Sequence, residues 1–167
     1  FASVQALWAG PYLMTVIGLP AVSAGNMILL MSVGIIVGSP VFGWLSDVVF
    51  NSRKTVIVAG LSGTCAVLII LAGLGPDTCM AVFGVLFFSF GFFSSSGGVM
   101  YAHIKERVPV KHAATAMTGI NFFTMIGVVV FLQGLGSLMH AIYPRASLGA
   151  SAFKGAFFLC AACLGVT

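Results

Sequence analysis

Residues 22–49 read VSAGNMILLMSVGIIVGSPVFGWLSDVV, a run whose only charged residue is Asp47. About 20 helical residues cross a bilayer core of about 30 Å, so this stretch is long enough to span it with tilt to spare. It lacks the two-residue alternation of a half-buried strand, and a lone strand in lipid leaves its backbone groups unpaired. Helix is therefore the expected form. Apolar runs of the same kind lie on either side, and helices are expected at about 1–19, 22–49, 54–74, 78–104, 113–142 and 151–167. The expected fold class is an all-α polytopic membrane protein with six transmembrane helices.

Composition supports that class. Lys and Arg number 7 and Asp and Glu 3 in 167 residues, while 60% of the chain is apolar and the mean hydropathy is +1.16. A soluble domain carries roughly a quarter of its residues as charges, so lipid is the solvent implied here. The net charge of +4 does not point to nucleic acid, because the basic residues sit in short gaps between apolar runs. The chain starts at Phe1, not Met, and stops at Thr167 within an apolar run. Both ends are therefore expected to be cut points in a longer protein.

The gaps have recognisable chemistry. Gly18-Leu19-Pro20 and Gly75-Pro76-Asp77 read as turns, with Asp77 a candidate N-cap for the fourth helix. Arg53, Lys54, Lys105, Arg107 and Lys111 fall in the second–third and fourth–fifth gaps, whereas Arg145 and Lys154 lie in or beside the fifth–sixth gap. Positive charge concentrates on the cytoplasmic side of membrane proteins. That bias puts the first group, and both chain ends, in the cytoplasm. The short loops suggest a bacterial inner membrane.

The end of the second helix reads Gly43-Trp44-Leu45-Ser46-Asp47, followed after five residues by Arg53-Lys54. This resembles the loop of the major facilitator superfamily, Gly-x-x-x-Asp followed by Gly and paired basic residues, between helices two and three of each half. The spacing is about two residues longer here, and the Arg after Asp and the later Gly are absent. Relaxed copies of that loop are typical of the second half, so the resemblance implies helices seven to twelve. Glu106-Arg107-Val108-Pro109 with 114–127 is similar to the lead into the family's eleventh helix, and 143–158 to the lead into its twelfth. The resemblance implies one half of a 3+3 inverted-repeat transporter that moves a small solute by alternating access. An N-terminal six-helix half of the same protein would be its partner. A transporter-like module serving only as a scaffold is the rival reading.

The resemblance also implies a conformational latch at Gly43, Asp47, Arg53, Lys54 and Glu106. Asp47 can interact with exposed amides at a helix N-terminus, on a helix expected in the absent half. Arg53 and Lys54 can pair with Glu106. The plainer reading makes these residues topogenic charges at lipid headgroups. The family's central cavity is lined by counterparts of the first and fourth helices. On the first, Gln5, Trp8, Tyr12 and Thr15 recur at intervals of three and four and share a face, with Gly10-Pro11 able to unwind the helix between them. That face either lines a wet cavity or supplies interfacial and interhelical contacts. On the fourth, Ser94, Ser95 and Ser96 with Gly97 and Gly98 offer hydroxyls to a solute or permit tight packing. Asn121, near Thr118 and Thr124, reads equally as solute contact or as a bridge to the other half.

Other chemistry finds no support in the residues. Cys160-Ala161-Ala162-Cys163 lies inside an apolar run, with no preceding strand and no second pair. His103, His112 and His140 lack metal-ligand spacing. No phosphate loop, nucleophile elbow or carboxylate pair is present, so neither an enzyme, a metal site nor a cofactor is implied. The Gly34-x-x-x-Gly38-Ser39-Pro40-x-x-Gly43 run looks like a drug-antiporter signature but lies on the wrong helix, and close helix packing is its expected role. No carboxylate sits near the middle of a span. Proton coupling then requires a group in the other half, or is not used.

Overall fold

The computed structural model describes residue 5 and residues 9–75, 78–142 and 150–166. Among these the secondary structure is helical throughout: α1 (Ala9–Pro11), α2 (Ala21–Trp44), α3 (Arg53–Gly73), α4 (Met80–Ser94), α5 (Gly97–Arg107), α6 (Val110–Ile142) and α7 (Ala150–Val166). Two widened π-helical turns, Tyr12–Val16 and Leu45–Val49, continue α1 and α2. Four helical stretches are long and apolar enough to cross a membrane: Ala21–Val49, Arg53–Gly73, Met80–Arg107 and Val110–Ile142. A shorter apolar helix occupies Ala152–Gly165. The fold is an all-α polytopic membrane protein. Its large exposed side chains, such as Ile36, Val85 and Phe123, are those that lipid solvates.

Helices in lipid gain little from hydrophobic burial, so close van der Waals contact must hold them together. The α2–α4 pair achieves this through glycine. A Cβ on Gly91 would enter the backbone of Met31, and one on Gly34 would approach Phe92 N to 2.8 Å. A Cβ on Gly38 would stand 2.6 Å from Phe92 O. The Gly34–Gly38 run is thus a backbone contact surface. On the other side of α4 and α5, Gly60 of α3 receives Ser96 and Gly63 receives the Phe93 ring. The α4–α5 stretch therefore runs between α2 and α3.

The main core joins Leu13, Met31, Leu68, Leu71, Phe83, Phe87 and Phe90 to Phe153 and Phe157 of α7. A smaller cluster of Phe42, Val56 and Val99 closes the end at which α2 stops and α3 starts. In contrast, α6 buries only Leu135 and Met139 among its 33 residues. At 1.5 Å per residue it is about 50 Å long, more than a bilayer core requires.

Several elements depart from the sequence reading. The fourth span is not one uninterrupted helix. Its ladder tightens at Ser95–Ser96, where Ser96 N–H donates to Phe93 O at 3.2 Å and Gly98 N–H to Ser95 O at 2.9 Å. The expected basic gap of 105–112 is largely helical. Lys105 and Arg107 form the last turn of α5, where cations complement the helix dipole. Pro109 accepts from His112 N–H at 2.8 Å and opens α6, a position where its missing N–H costs nothing. Gly18 does turn the chain, at φ 76°. Asp77, read as an N-cap, and Arg145 lie outside the described residues.

Replacing Gly91 by Val is expected to separate α2 from α4 and to cost about 1–3 kcal/mol or more by overpacking. Gly25→Ala, at an α2 site with open space around it, should instead be neutral or stabilising by up to about 1 kcal/mol. Thermal unfolding of both variants in detergent checks the contrast, and equal midpoints would refute the backbone-contact account.

Candidate functional site

The turn between α2 and α3 is built to present one arginine. Phe50 N–H donates to Leu45 O at 2.9 Å, closing the π turn that carries Asp47. Asn51 then adopts φ 47°, a left-handed conformation that asparagine tolerates better than most residues. Ser52, extended at φ −146°, caps α3 by accepting from Thr55 N–H at 3.4 Å. Arg53 is consequently the first residue of α3, and its side chain turns back over the end of α2.

There it meets partners from two other elements. Its Nη1 donates to Asp47 Oδ1 and, at 3.1 Å, to Ser46 Oγ. Its Nη2 donates to Glu106 Oε1 at 2.7 Å and its Nε to Glu106 Oε2 at 3.4 Å. The Glu106 contact is the two-pronged fork that a guanidinium makes and an ammonium does not. The Arg53 side chain is 22% exposed and both carboxylates are 54% exposed. One cation thus ties the ends of α2 and α5 to the start of α3.

Helix dipoles explain why these charges need each other. A cation at the first position of α3 opposes the positive helix N-terminus, and no acid occupies that first turn. Glu106 sits in the last turn of α5, where a carboxylate is equally misplaced. Pairing them across the helices relieves both. Lys54 is exposed on the next position of α3, outside this cluster. A Cβ on Gly43 would meet nothing within 4 Å, so no contact among the described residues requires glycine there. Ser46, 2% exposed, was not among the sequence candidates. Its position beside Asp47 was the one available signal.

Among the described residues, the cavity candidates are not gathered around one space. Gln5 Nε2 donates to Ser32 Oγ of α2 at 3.0 Å. Trp8 lies outside the described residues. Tyr12 is a core residue, not an open wall: 3% exposed, its ring meets Phe153 and Phe157 edge-on at 5.4 and 5.3 Å. Thr15 Oγ1 donates to Pro11 O at 2.6 Å. Spacing placed these residues on a shared face; of the described ones Tyr12 is buried, Gln5 half-buried and Thr15 exposed, and the π turn after Pro11 departs from the regular period on which that face was drawn.

On the α4–α5 junction, Ser95 Oγ donates to its own turn at Phe92 O, 2.6 Å away. Ser94 Oγ and Ser96 Oγ are buried without a hydrogen-bond partner among the described residues. Asn121 is exposed but shares an α6 face with buried Met139, five turns further on. A groove of about 520 Å³ between α2 and α4 is lined by Met27, Leu30, Met80, Gly84 and Phe88, among others. None of its lining side chains is polar, so it offers nothing to orient a polar solute.

Comparison with known proteins adds one finding to this geometry. The sequence model of the Major Facilitator Superfamily matches residues 2–167. The chain belongs to the Major Facilitator Superfamily. No curated protein and no solved structure matches it. Membership makes the chain transporter-type, and the match spans all three elements joined by Arg53.

Arg53→Gln and Glu106→Gln are each expected to lower the thermal midpoint in detergent, with the double variant falling little below either single one. The coupling should shrink as salt screens the half-exposed pair. Strictly additive losses would separate the two residues energetically.

Proposed function

We propose that this chain is one six-helix half of a transporter that carries a small solute by alternating access, and that Arg53 is the cation of its latch. The observation that carries this reading is the bridge from Arg53 to both Asp47 and Glu106, which links three helix ends at one side of the bundle. An exposed bridge of this kind forms and breaks readily, because water solvates its groups once they part. That suits a contact which must open in each cycle better than it suits a permanent brace. The tightened turn at Ser95–Ser96 separates α5, which carries Glu106, from the more deeply packed α4. Movement of α5 would accompany release of the latch.

The excess of cations in the gaps around Arg53 and Glu106 supports a cytoplasmic position for the latch. The open site at Gly43 and the sparsely covered α6 support a second six-helix half as partner. Gln5, Trp8, Ser94 and Asn121 are the residues we propose for the solute path, and Tyr12 serves the core instead. A hydroxyl buried without a partner, as at Ser94, is unfavourable unless something else satisfies it, and a solute or water in a complete cavity would do so.

The test uses full-length protein in proteoliposomes and counterflow of sugars, organic acids, amino acids and nitrate. Saturable exchange of one class is expected. Arg53→Ala and Asp47→Asn should slow that exchange roughly fivefold or more while solute binding persists. Unchanged exchange in both variants would remove the latch role. Absence of exchange for every solute in folded protein would favour a scaffold.

A further inference from the structure

We infer that the latch end of the bundle is a binding site for anionic phospholipid headgroups, formed by Lys54, Lys105, Arg107 and Lys111. The argument begins from the distribution of acids. The chain has three, and two of them, Asp47 and Glu106, are both engaged by Arg53. The third, Asp77, comes after α3 has run its 21 residues away from this end. Lys54, Lys105, Arg107 and Lys111 are all exposed, and no ion pair neutralises them among the described residues. The Arg53–Glu106 bond holds the start of α3 against the end of α5, and Pro109 alone with Val108 separates α5 from α6. All four cations therefore belong to one end of the bundle.

Their neighbours identify the ligand. Val48, Val49 and Phe50 are about half exposed, and Val110, beside Lys111, is 93% exposed. Cations interleaved with exposed apolar side chains at the ends of bilayer-crossing helices fit the headgroup layer. The apolar groups enter the acyl boundary while the long basic side chains reach outward to phosphate. A soluble polyanion would match the charge and leave those apolar groups in water. Arg107 can grip phosphate with two parallel N–H bonds, and the lysines supply point charges.

An anionic surface attracts each such cation by about a fivefold gain in partitioning. Full-length protein in neutral micelles is titrated with phosphatidylglycerol or phosphatidylcholine, and bound lipid is counted by native mass spectrometry. Wild type should prefer phosphatidylglycerol, and K105Q/R107Q/K111Q should reduce that preference about tenfold or more. Lys154→Gln, beyond the other end of α6, should leave it unchanged. Raising the ionic strength should weaken the preference in wild type, an arm that requires no variant. Equal binding of the two lipids, a salt-independent preference, an unaltered triple variant, or full displacement by inorganic phosphate at matched concentration would each overturn the assignment. The measurement involves no solute movement, so its failure leaves the transport proposal standing.

Discussion

The contact of Gly91 with the Met31 backbone is the constraint on which the bundle depends. In water, helices approach because apolar surface leaves solvent. In lipid that incentive is nearly absent, and attraction comes from short-range packing that decays within an ångström. Gly34 and Gly38 on α2 and Gly91 on α4 remove the side chains that would hold the two backbones apart. The α4–α5 stretch is thereby fixed close to α2, and Gly60 and Gly63 let α3 approach it from another side. With α2, α3 and α5 so placed, their ends are near enough for one arginine to reach across all three.

Packing and charge divide the labour along the bundle. The Phe42–Val56–Val99 cluster lies at the end that carries Arg53 and excludes solvent beneath it. Buried Ser46 marks the boundary, taking one Nη1 contact while the carboxylates remain half exposed. Placed deep within the bundle, the same ions would incur a desolvation cost that their attraction does not reliably offset. At the helix ends, half exposed, such a pair gains or loses little net free energy.

Fold class was legible because span length and lack of charge are dictated by the bilayer. The Arg53–Glu106 pairing was legible for a similar reason: few charges and two adjoining gaps leave few partners. Asp47 was assigned a partner outside the chain, yet Arg53 reaches it, since the π turn and the left-handed Asn51 fold the side chain back. Neither feature has a hydropathy signature. Tyr12 shows a more general limit. Periodicity identifies which residues share a face, but in a membrane protein a polar-aromatic face can point to a cavity, to the headgroups or to other helices. Only the packing of Phe153 and Phe157 against it decides. The Ser95–Ser96 break did have a signal, the run Ser94-Ser95-Ser96-Gly97-Gly98, but small residues of that kind serve close packing or solute contact as readily as a break in the helix.

The glycines of α6 carry the argument beyond the chain. Gly119, Gly127 and Gly134 lie on one broad side of that helix, at about 100° per residue, away from the side bearing Leu135 and Met139. A Cβ at any of the three would meet nothing. Each glycine costs a helix about 1 kcal/mol relative to alanine, and no contact among the described residues offsets that cost. In α2 and α4 the comparable cost is met by backbone contact. A second helix lying on the glycine side of α6 would meet it in the same way. That unmet cost is the physical ground for the proposed second half, since glycine on the open side of α6 becomes favourable when another helix packs closely there.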